Sequence, residues 1–262
     1  MKIIVCMKQV PAGTSVEIDP ETGAMKRMSG DTRTNPYDLF ALETAIRLRE
    51  QLGGTVTVLT MGPSHAEEMM RDAYTMGADE AVILSDRKFA GADVLATSYA
   101  LSQAIQVLGG ADLILCGRQT TDGDTAQVGP AIAEHLHIPH AAWVAEVTEV
   151  DEKTITVRQA LESVSQVSRL PYPCLITVDK DMCVPRLPSY LLKRQTTERP
   201  VRIMTFKDMP DQNLSRYGLV GSPTAVERMF APEAAERKVW LEGNAEEKTE
   251  KLFDILTGKK LI

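Results

Sequence analysis

Residues 111–130 have the sequence ADLILCGRQTTDGDTAQVGP, in which an apolar run, a glycine-containing polar loop and a helix start follow one another. An apolar run without polar alternation is typical of a strand that is buried on both faces of a parallel sheet. Runs of the same kind occur at residues 2–8, 55–61 and 80–84. Segments with helical periodicity separate them. This alternation predicts an α/β fold with a doubly wound, mostly parallel, Rossmann-like sheet and right-handed crossovers.

Capping signals mark the predicted helices. Asn35-Pro36 predicts one helix start, and the spacing of Ser64 and Glu67 is that of a capping box, which predicts another. We expect this second helix to end near Gly77 and a third helix to cover residues 92–108. These helices are the crossovers that a parallel sheet requires.

The pattern changes after about residue 140. Apolar and polar residues alternate over residues 144–167 around Asp151-Glu152, which predicts an antiparallel hairpin. Residues 173–178 are again apolar and are predicted to return to the sheet. The first domain is therefore expected to end with a mixed part of the sheet.

The last part of the chain is rich in proline. Prolines recur from residue 188 to residue 232, which predicts an extended arm rather than a second packed domain. A final helix is predicted between Asn244 and Gly258. We predict an α/β nucleotide-binding domain over residues 1–185 and a C-terminal arm, suited to a partner subunit, over residues 186–262.

The composition is that of an ordinary globular protein. The 262 residues are 44% hydrophobic, and the net charge of −7 argues against nucleic-acid binding. The longest apolar runs have about five residues, against roughly 20 for a membrane span, and the first is too short for a signal peptide. A cytoplasmic protein without a membrane span is expected. The four cysteines include no CxxC pair, so redox chemistry would have to come from a bound cofactor.

The loop at residues 117–128 is the main candidate site, because ligands of open α/β sheets bind at the carboxyl ends of the strands. Glycines at positions 117, 123 and 129 are expected to permit positive φ angles and close approach to the backbone. Asp124 is expected to cap the following helix, so that the amides of Thr125 and Ala126 face a phosphate. The alternative is a capped helix after a polar loop that binds no ligand.

Other strand ends are expected at the same edge. Cys6 and Met61 end predicted strands, and the segment from Asn35 to Asp38 starts the first helix. Together with the loop they would form a cleft for an adenine nucleotide. Each also has a structural interpretation, since Asn35 suits a cap, Cys6 a core position and Met61 a gap in the core.

No catalytic residue is predicted. The sequence contains no GxGxxG, GxxxxGK[ST], SGGxDS or GxSxG motif. His135 and His137 would point to different sides of a helix, so no metal site is predicted. Residues 186–194, RLPSYLLKR, combine apolar side chains with a basic rim, which suits docking on another protein. Alternatively, Leu187 and Leu191 pack beneath the arm.

Five segments together resemble the small (β) subunit of the electron transfer flavoproteins. They are VCMKQVP, TNPYDLFALE, TMGP, MGADEA and CGRQTTDGDTAQVGP, and the resemblance extends over essentially the whole chain. It implies a nucleotide-binding domain and an arm around a larger α subunit that carries FAD. In ordinary members the β cleft holds a structural AMP, whereas in the electron-bifurcating group it holds a second FAD that is reduced by NADH.

The resemblance also implies roles for individual residues. Leu187 falls on the leucine that anchors a partner dehydrogenase. The implied nucleotide contacts are Cys6, Asn35, Pro36, Tyr37, Asp38, Met61, Gly117, Arg118, Gln119, Thr120, Thr121, Asp122, Gly123, Asp124, Thr125, Ala126, Gln127 and Val128.

Two features resemble the bifurcating group more than the AMP-binding group. They are the loop DGDTAQVGP, in which Gly123 would leave room for a diphosphate, and Gly221-Ser222-Pro223-Thr224. The implied function is that of an electron carrier subunit. It would bind FAD, accept electrons from NADH, and pass them to ferredoxin or flavodoxin and, through the α-subunit FAD, to a flavoprotein dehydrogenase. The alternatives are a non-bifurcating subunit with AMP and a non-redox adenine-nucleotide-binding module.

Overall fold

The structure, a computed structural model, describes residues 1–12, 17–18, 25–26, 32–180, 182–226 and 239–262. The strands in these residues are β1 Lys2–Cys6, β2 Gln9–Pro11, β3 Glu17–Ile18, β4 Met25–Lys26, β5 Thr32–Thr34, β6 Thr55–Met61, β7 Glu80–Leu84, β8 Leu113–Gly117, β9 His140–Val150, β10 Thr154–Ala160, β11 Ser165–Pro171, β12 Cys174–Val178 and β13 Val201–Met204. The α-helices are α1 Pro36–Leu52, α2 Glu67–Met76, α3 Val94–Val107, α4 Val128–Leu136, α5 Tyr190–Gln195 and α6 Ala245–Gly258.

The central sheet has nine strands in the order β11-β10-β9-β12-β8-β1-β6-β7-β13. The seven strands β9, β12, β8, β1, β6, β7 and β13, which are adjacent in this order, are parallel to one another. At the other end of the sheet, β10 is antiparallel to β9, and β11 is antiparallel to β10. The strand order reverses at β1, because β6 and β7 follow on one side of it and β8 and β12 lie on the other. Such a switch point opens a crevice at the carboxyl ends of the strands, here between β1 and β8.

Both faces of the sheet are covered. On one side Ile3 and Val5 of β1 share a buried cluster with residues of α1 and α2. On the other side Ile4 and Cys6 share a cluster with residues of α3 and α4. Burial on both faces explains why β1 is apolar along its whole length. The predicted α/β fold with a doubly wound sheet is confirmed.

The helix ends follow the predictions only in part. α2 ends before Gly77, as predicted, and Gly77 has the positive φ angle of 121° that suits glycine. The prediction of a capping box at the start of α2 is wrong. Residues Ser64–Ala66 form a short 3₁₀ turn instead, and no side chain caps α2. A capping box does form at α6, where Asn244 and Glu247 bond each other's backbone amides.

The segment after residue 140 contains two hairpins instead of one. β9 and β10 pair as predicted, but a turn in which the amide of Leu161 donates to the carbonyl of Val164 separates β10 from β11. β12 lies between β9 and β8, which confirms the predicted return to the sheet.

Two compact units divide the chain. One contains Met1–Glu17 and Lys26–Glu227, and the other contains Ile18–Met25 and Arg228–Ile262. Residue 185 lies inside the first of these units. The same unit contains β13, which is parallel to β7 at the edge of the sheet and was not predicted. None of the described helices combines the length and apolar character that a membrane span needs.

Candidate functional site

The strand ends singled out in the sequence lie at one edge of the sheet. Cys6, the last residue of β1, is level with Cys116 of β8. Met61 ends β6 and is level with Leu84 of β7. The loop from Arg118 to Gln127 leaves this edge and leads to α4. The predicted cleft residues are thus grouped around the switch point.

Asp38 joins the ends of β1 and β8. Its carboxylate accepts hydrogen bonds from the amide of Lys8, at 2.7 Å, and from Nδ2 of Asn35, at 2.9 Å. The backbone of Gly117 provides a further bond to it. Burial raises the pKa of Asp38 from 3.8 to about 7, although these hydrogen bonds oppose the shift. Since both oxygens are engaged by the protein, Asp38 organises the edge of the sheet.

Asn35 connects α1 to the loop. It occupies the N-cap position that the sequence predicts, but its side chain does not cap the helix. Instead, Nδ2 donates to Asp38 and to the carbonyl of Gln119, at 2.8 Å. Asn35 is fully buried, and its Oδ1 has no hydrogen-bond partner among the described residues. A buried acceptor without a donor is uncommon and marks this position as a candidate for ligand contact.

Lys8 holds the outer part of the loop and was not singled out in the sequence. Its Nζ lies 2.7 and 2.8 Å from the two carboxylate oxygens of Asp122. This ion pair keeps the pKa of Asp122 below its ordinary value, against the opposing effect of burial. In the sequence, only its position two residues after the end of β1 indicates that Lys8 lies near the candidate site.

The cap predicted at Asp124 is wrong. α4 begins at Val128, with Gln127 in the N-cap position and no side-chain cap, and Asp124 instead accepts a 2.5 Å hydrogen bond from Nε2 of Gln119. Asp124 is too far from the first helical residue to cap it, since an N-cap residue must directly precede the helix. The amides of Val128 and Gly129 have no acceptor among the described residues. An uncapped helix N-terminus favours an anion.

Positive φ angles occur in this loop, but not at its glycines. Asp124 and Ala126 have φ angles of 51° and 55°. Gly117 and Gly129 are needed for their small size instead. A Cβ on Gly117 would lie 2.7 Å from the carbonyl carbon of Tyr37, and one on Gly129 would lie 2.6 Å from Cγ2 of Thr177. Glycine permits positive φ at positions 117, 123 and 129, but none of the three adopts it, whereas close approach of other groups to the backbone is found at 117 and 129.

Cys116, one of two cysteines at this edge, is not a reactive group. Cys6 and Cys116 are buried and free. The hydrogen bond with Cys6, together with burial, raises the pKa of the Cys116 thiol well above its ordinary value. A thiol that stays protonated is a poor nucleophile.

The segment predicted to dock on another protein is exposed at two of its leucines and bonded to α1 through Arg186. Leu187 is 87% exposed and Leu191 64%, so these two residues do not pack beneath the arm. The preceding Arg186 donates from its amide and Nε to Oε2 of Glu43, at 3.0 and 2.8 Å, and from Nη1 to Glu50 at 2.7 Å. Burial alone would raise the pKa of Glu43, but hydrogen bonds from Arg186 and Arg47 hold it below its ordinary value.

A groove of about 510 Å³ lies away from this edge, between α1 and β9. Arg47, Val147, Met182 and Cys183 are among its lining residues. It contains none of the predicted site residues. We prefer the switch-point edge as the candidate site, because buried polar atoms without partners and free amides occur there.

Comparisons with known proteins agree on one family. The electron transfer flavoprotein domain matches residues 22–209. Electron transfer flavoprotein subunit beta of Thermoanaerobacterium thermosaccharolyticum is 42% identical over 263 residues, which cover 100% of both chains. Protein FixA of Sinorhizobium fredii is 44% identical over 244 residues, covering 91% of this chain and 86% of that protein.

A third relative is the acryloyl-CoA reductase electron transfer subunit gamma of Anaerotignum propionicum. It is 40% identical over 271 residues, which cover 100% of both chains. These relatives span essentially the full length of the described fold. The chain therefore belongs to the electron transfer flavoprotein family, among the β subunits and FixA proteins that serve electron transfer.

Proposed function

We propose that this chain is the small subunit of a heterodimeric electron transfer flavoprotein and binds an adenine nucleotide at the carboxyl ends of β1, β6 and β8. The uncapped N-terminus of α4 at the switch point carries this proposal. Two amides at that terminus, the buried Oδ1 of Asn35 and the guanidinium of Arg118 offer complementary groups to a nucleotide. Helix amides and a fixed positive charge suit its phosphates.

The geometry around Gly123 supports FAD over AMP as the nucleotide. The nearest atom to a Cβ built on Gly123 is Thr120 Oγ1, at 3.6 Å, so this part of the loop is open. The charge of Asp122 is compensated by Lys8, which reduces repulsion of a diphosphate. FAD would supply two-electron and one-electron redox chemistry. The residues of this chain would bind it and orient it.

We extend the proposal to electron bifurcation. NADH is the proposed donor, and the proposed acceptors are ferredoxin or flavodoxin and, through the α-subunit FAD, a flavoprotein dehydrogenase. The name of the Anaerotignum relative, an electron transfer subunit of a reductase, supports the role of a carrier rather than of a catalyst. The exposed Leu187 is the proposed contact with the dehydrogenase. These donors and acceptors would be met in the cytoplasm.

The number and kind of nucleotides in the purified αβ complex test this proposal. Two FAD per complex are expected after denaturation and chromatographic quantification. One FAD with one AMP would replace bifurcation by simple electron relay. A complex with no nucleotide in this chain would overturn the proposed site and leave a non-redox module as the alternative.

A further inference from the structure

Trp143 adopts a backbone conformation that bulky residues rarely have. Its φ angle is 59°, in the left-handed region. It lies at a bulge in β9, because Ala141 and Val144 are level with Ile176 and Val178 of β12. Bulges next to functional sites often turn a side chain towards the site. Strained residues of this kind persist where the surrounding structure holds them.

The indole ring of Trp143 lies against Arg118, the first residue of the loop after β8. The guanidinium carbon of Arg118 is 4.1 Å from the ring centroid. Its Nη1 also donates to both carboxylate oxygens of Asp179, at 3.2 and 3.1 Å. The guanidinium is therefore held by an aromatic face and by a carboxylate. Two constraints of this kind leave an arginine little rotational freedom.

The same arrangement reaches the N-terminus of α4. The amide of Trp143 donates to Oγ1 of Thr177, at 3.0 Å. The methyl group of Thr177 lies 2.6 Å from the position that a Cβ on Gly129 would take, so Gly129 packs directly against Thr177. Trp143, Thr177 and Gly129 thus form a continuous set of contacts. Through these contacts the bulge in β9 is connected both to Arg118 and to the first turn of α4.

Arg118 keeps a donor that the protein does not use. Its Nε is buried and has no hydrogen-bond partner among the described residues. Its side chain is 27% exposed, so solvent or a ligand can reach part of it. A partly exposed positive charge at the start of the loop that leads to the free amides of α4 is suited to a phosphate group.

We propose that Trp143 is a positioning residue that holds Arg118 for the phosphate of the nucleotide. This inference rests on the proposed nucleotide site. Trp143 touches the guanidinium rather than the ligand, and Asp179 fixes the same guanidinium through a second contact. The strained bulge in β9 is what places the ring under Arg118. Removal of the ring therefore weakens phosphate recognition and leaves adenosine recognition intact.

The test compares ADP with adenosine as probes. Calorimetric titration uses the complex of this chain with its α subunit after removal of bound nucleotide. Trp143→Leu is expected to weaken ADP binding about tenfold, as loss of a partly desolvated cation–π contact implies, and to change adenosine binding less than about twofold. Trp143→Phe, which keeps an aromatic face, is expected to restore most of the ADP affinity. An equal loss for ADP and adenosine would overturn the proposal.

A double-mutant cycle with Arg118→Met separates positioning from direct contact. If Trp143 acts through Arg118, Trp143→Leu has no further effect on ADP binding once Arg118 is replaced. Additive effects of the two substitutions would contradict the proposal. If neither ADP nor adenosine binds to the unmodified complex, the nucleotide site itself is wrong and the role of Trp143 falls with it.

Fluorescence provides a measurement without a substitution in the core. The chain has two tryptophans, and Trp240→Phe leaves Trp143 as its only indole. ADP binding at Arg118 is expected to change the emission of Trp143, whereas adenosine is expected to leave it unchanged. Identical emission with and without ADP, under conditions in which ADP binds, would count against contact between Arg118 and the phosphate.

Discussion

Asp38 illustrates how one buried carboxylate can organise the backbone around a candidate site. It accepts hydrogen bonds from Lys8 after β1 and from Asn35 before α1, and it also bonds the backbone of Gly117 at the end of β8. These three segments are far apart in sequence. The hydrogen bonds hold the backbone at the switch point in one arrangement, which is a condition for a preformed ligand site.

The pKa of Asp38 predicts a pH-dependent stability. Burial raises its pKa from 3.8 to about 7, so the folded state binds more protons than the unfolded state between these values. The stability contributed by Asp38 is therefore lost as the pH rises through this window. Asp38→Asn does not titrate. The free energy of unfolding of the natural chain, minus that of the variant, is expected to decrease from about pH 4 to about pH 7 in urea titrations.

Other titrating groups are common to both proteins, so they cancel in this difference. A difference that stays constant across the window would mean that Asp38 remains ionised when buried. Asp38→Asn should also lower stability by about 1–3 kcal/mol at low pH, because its NH₂ group would face a backbone donor.

At the scale of elements, the approach of α1 to the end of β8 depends on glycine. A Cβ on Gly117 would lie 2.7 Å from the backbone of Tyr37, which cannot move without shifting α1. By contrast, Gly123 lies in the exposed part of the loop, and the nearest atom to its Cβ would be 3.6 Å away. The two glycines of one loop therefore have different roles.

This difference predicts unequal losses of stability for two alanine substitutions. Gly117→Ala is expected to destabilise the chain by about 1–3 kcal/mol, as overpacking does. Gly123→Ala is the matched control and should change the free energy of unfolding by less than about 0.5 kcal/mol. It should nevertheless weaken nucleotide binding if a diphosphate passes close to residue 123. Equal stability losses in the two variants would contradict the packing difference.

At the scale of the whole molecule, the proposed docking segment lies in the same compact unit as the candidate nucleotide site. Arg186 bonds Glu43 and Glu50 on α1, and the exposed Leu187 follows it directly. Because the Glu43 side chain is 2% exposed, this ion pair is protected from solvent and resists screening by salt. The exposed apolar residues after it are therefore held in a defined position, which lowers the entropic cost of binding a partner.

Leu187→Ala tests the proposed docking role. Since Leu187 is 87% exposed, its removal should leave the free energy of unfolding almost unchanged. Electron transfer to the dehydrogenase should show a higher KM for the partner, whereas reduction of a small dye by NADH should remain at the natural rate. Loss of both activities would identify Leu187 as a folding residue. Glu162→Gln, an exposed change in the turn between β10 and β11 and outside residues 186–194, is the control for a nonspecific surface effect.

The parallel part of the sheet could be predicted because its signals are local. β1, β6, β7 and β8 are apolar runs, and such runs indicate burial on both faces of the sheet. β13 could not be predicted in this way. Its adjacent residues Arg202 and Ile203 are both exposed and only Met204 is buried, so neither alternation nor an apolar run marks it, and it is a strand through its pairing with the edge of β7.

The grouping of the candidate site residues could be predicted, but the hydrogen bonds among them could not. Grouping of the loop, Cys6, Met61 and Asn35 followed from the rule that parallel strands share a carboxyl edge. The use of each polar group did not follow, since Asn35 and Asp124 both suit helix caps yet bond Gln119 instead. Trp143 gave no signal, because the bulge that turns it towards Arg118 depends on the register between β9 and β12.

The sequence by itself determined the class of fold, the strands around the switch point and the loop that leaves β8. These features depend on hydrophobic periodicity and on turn residues within a few positions of one another. Only the tertiary structure decided which donor meets which acceptor, where φ is positive and how far the first compact unit extends. Such features depend on residues that are far apart in the chain, and these residues meet only when the whole sheet and its helices pack together.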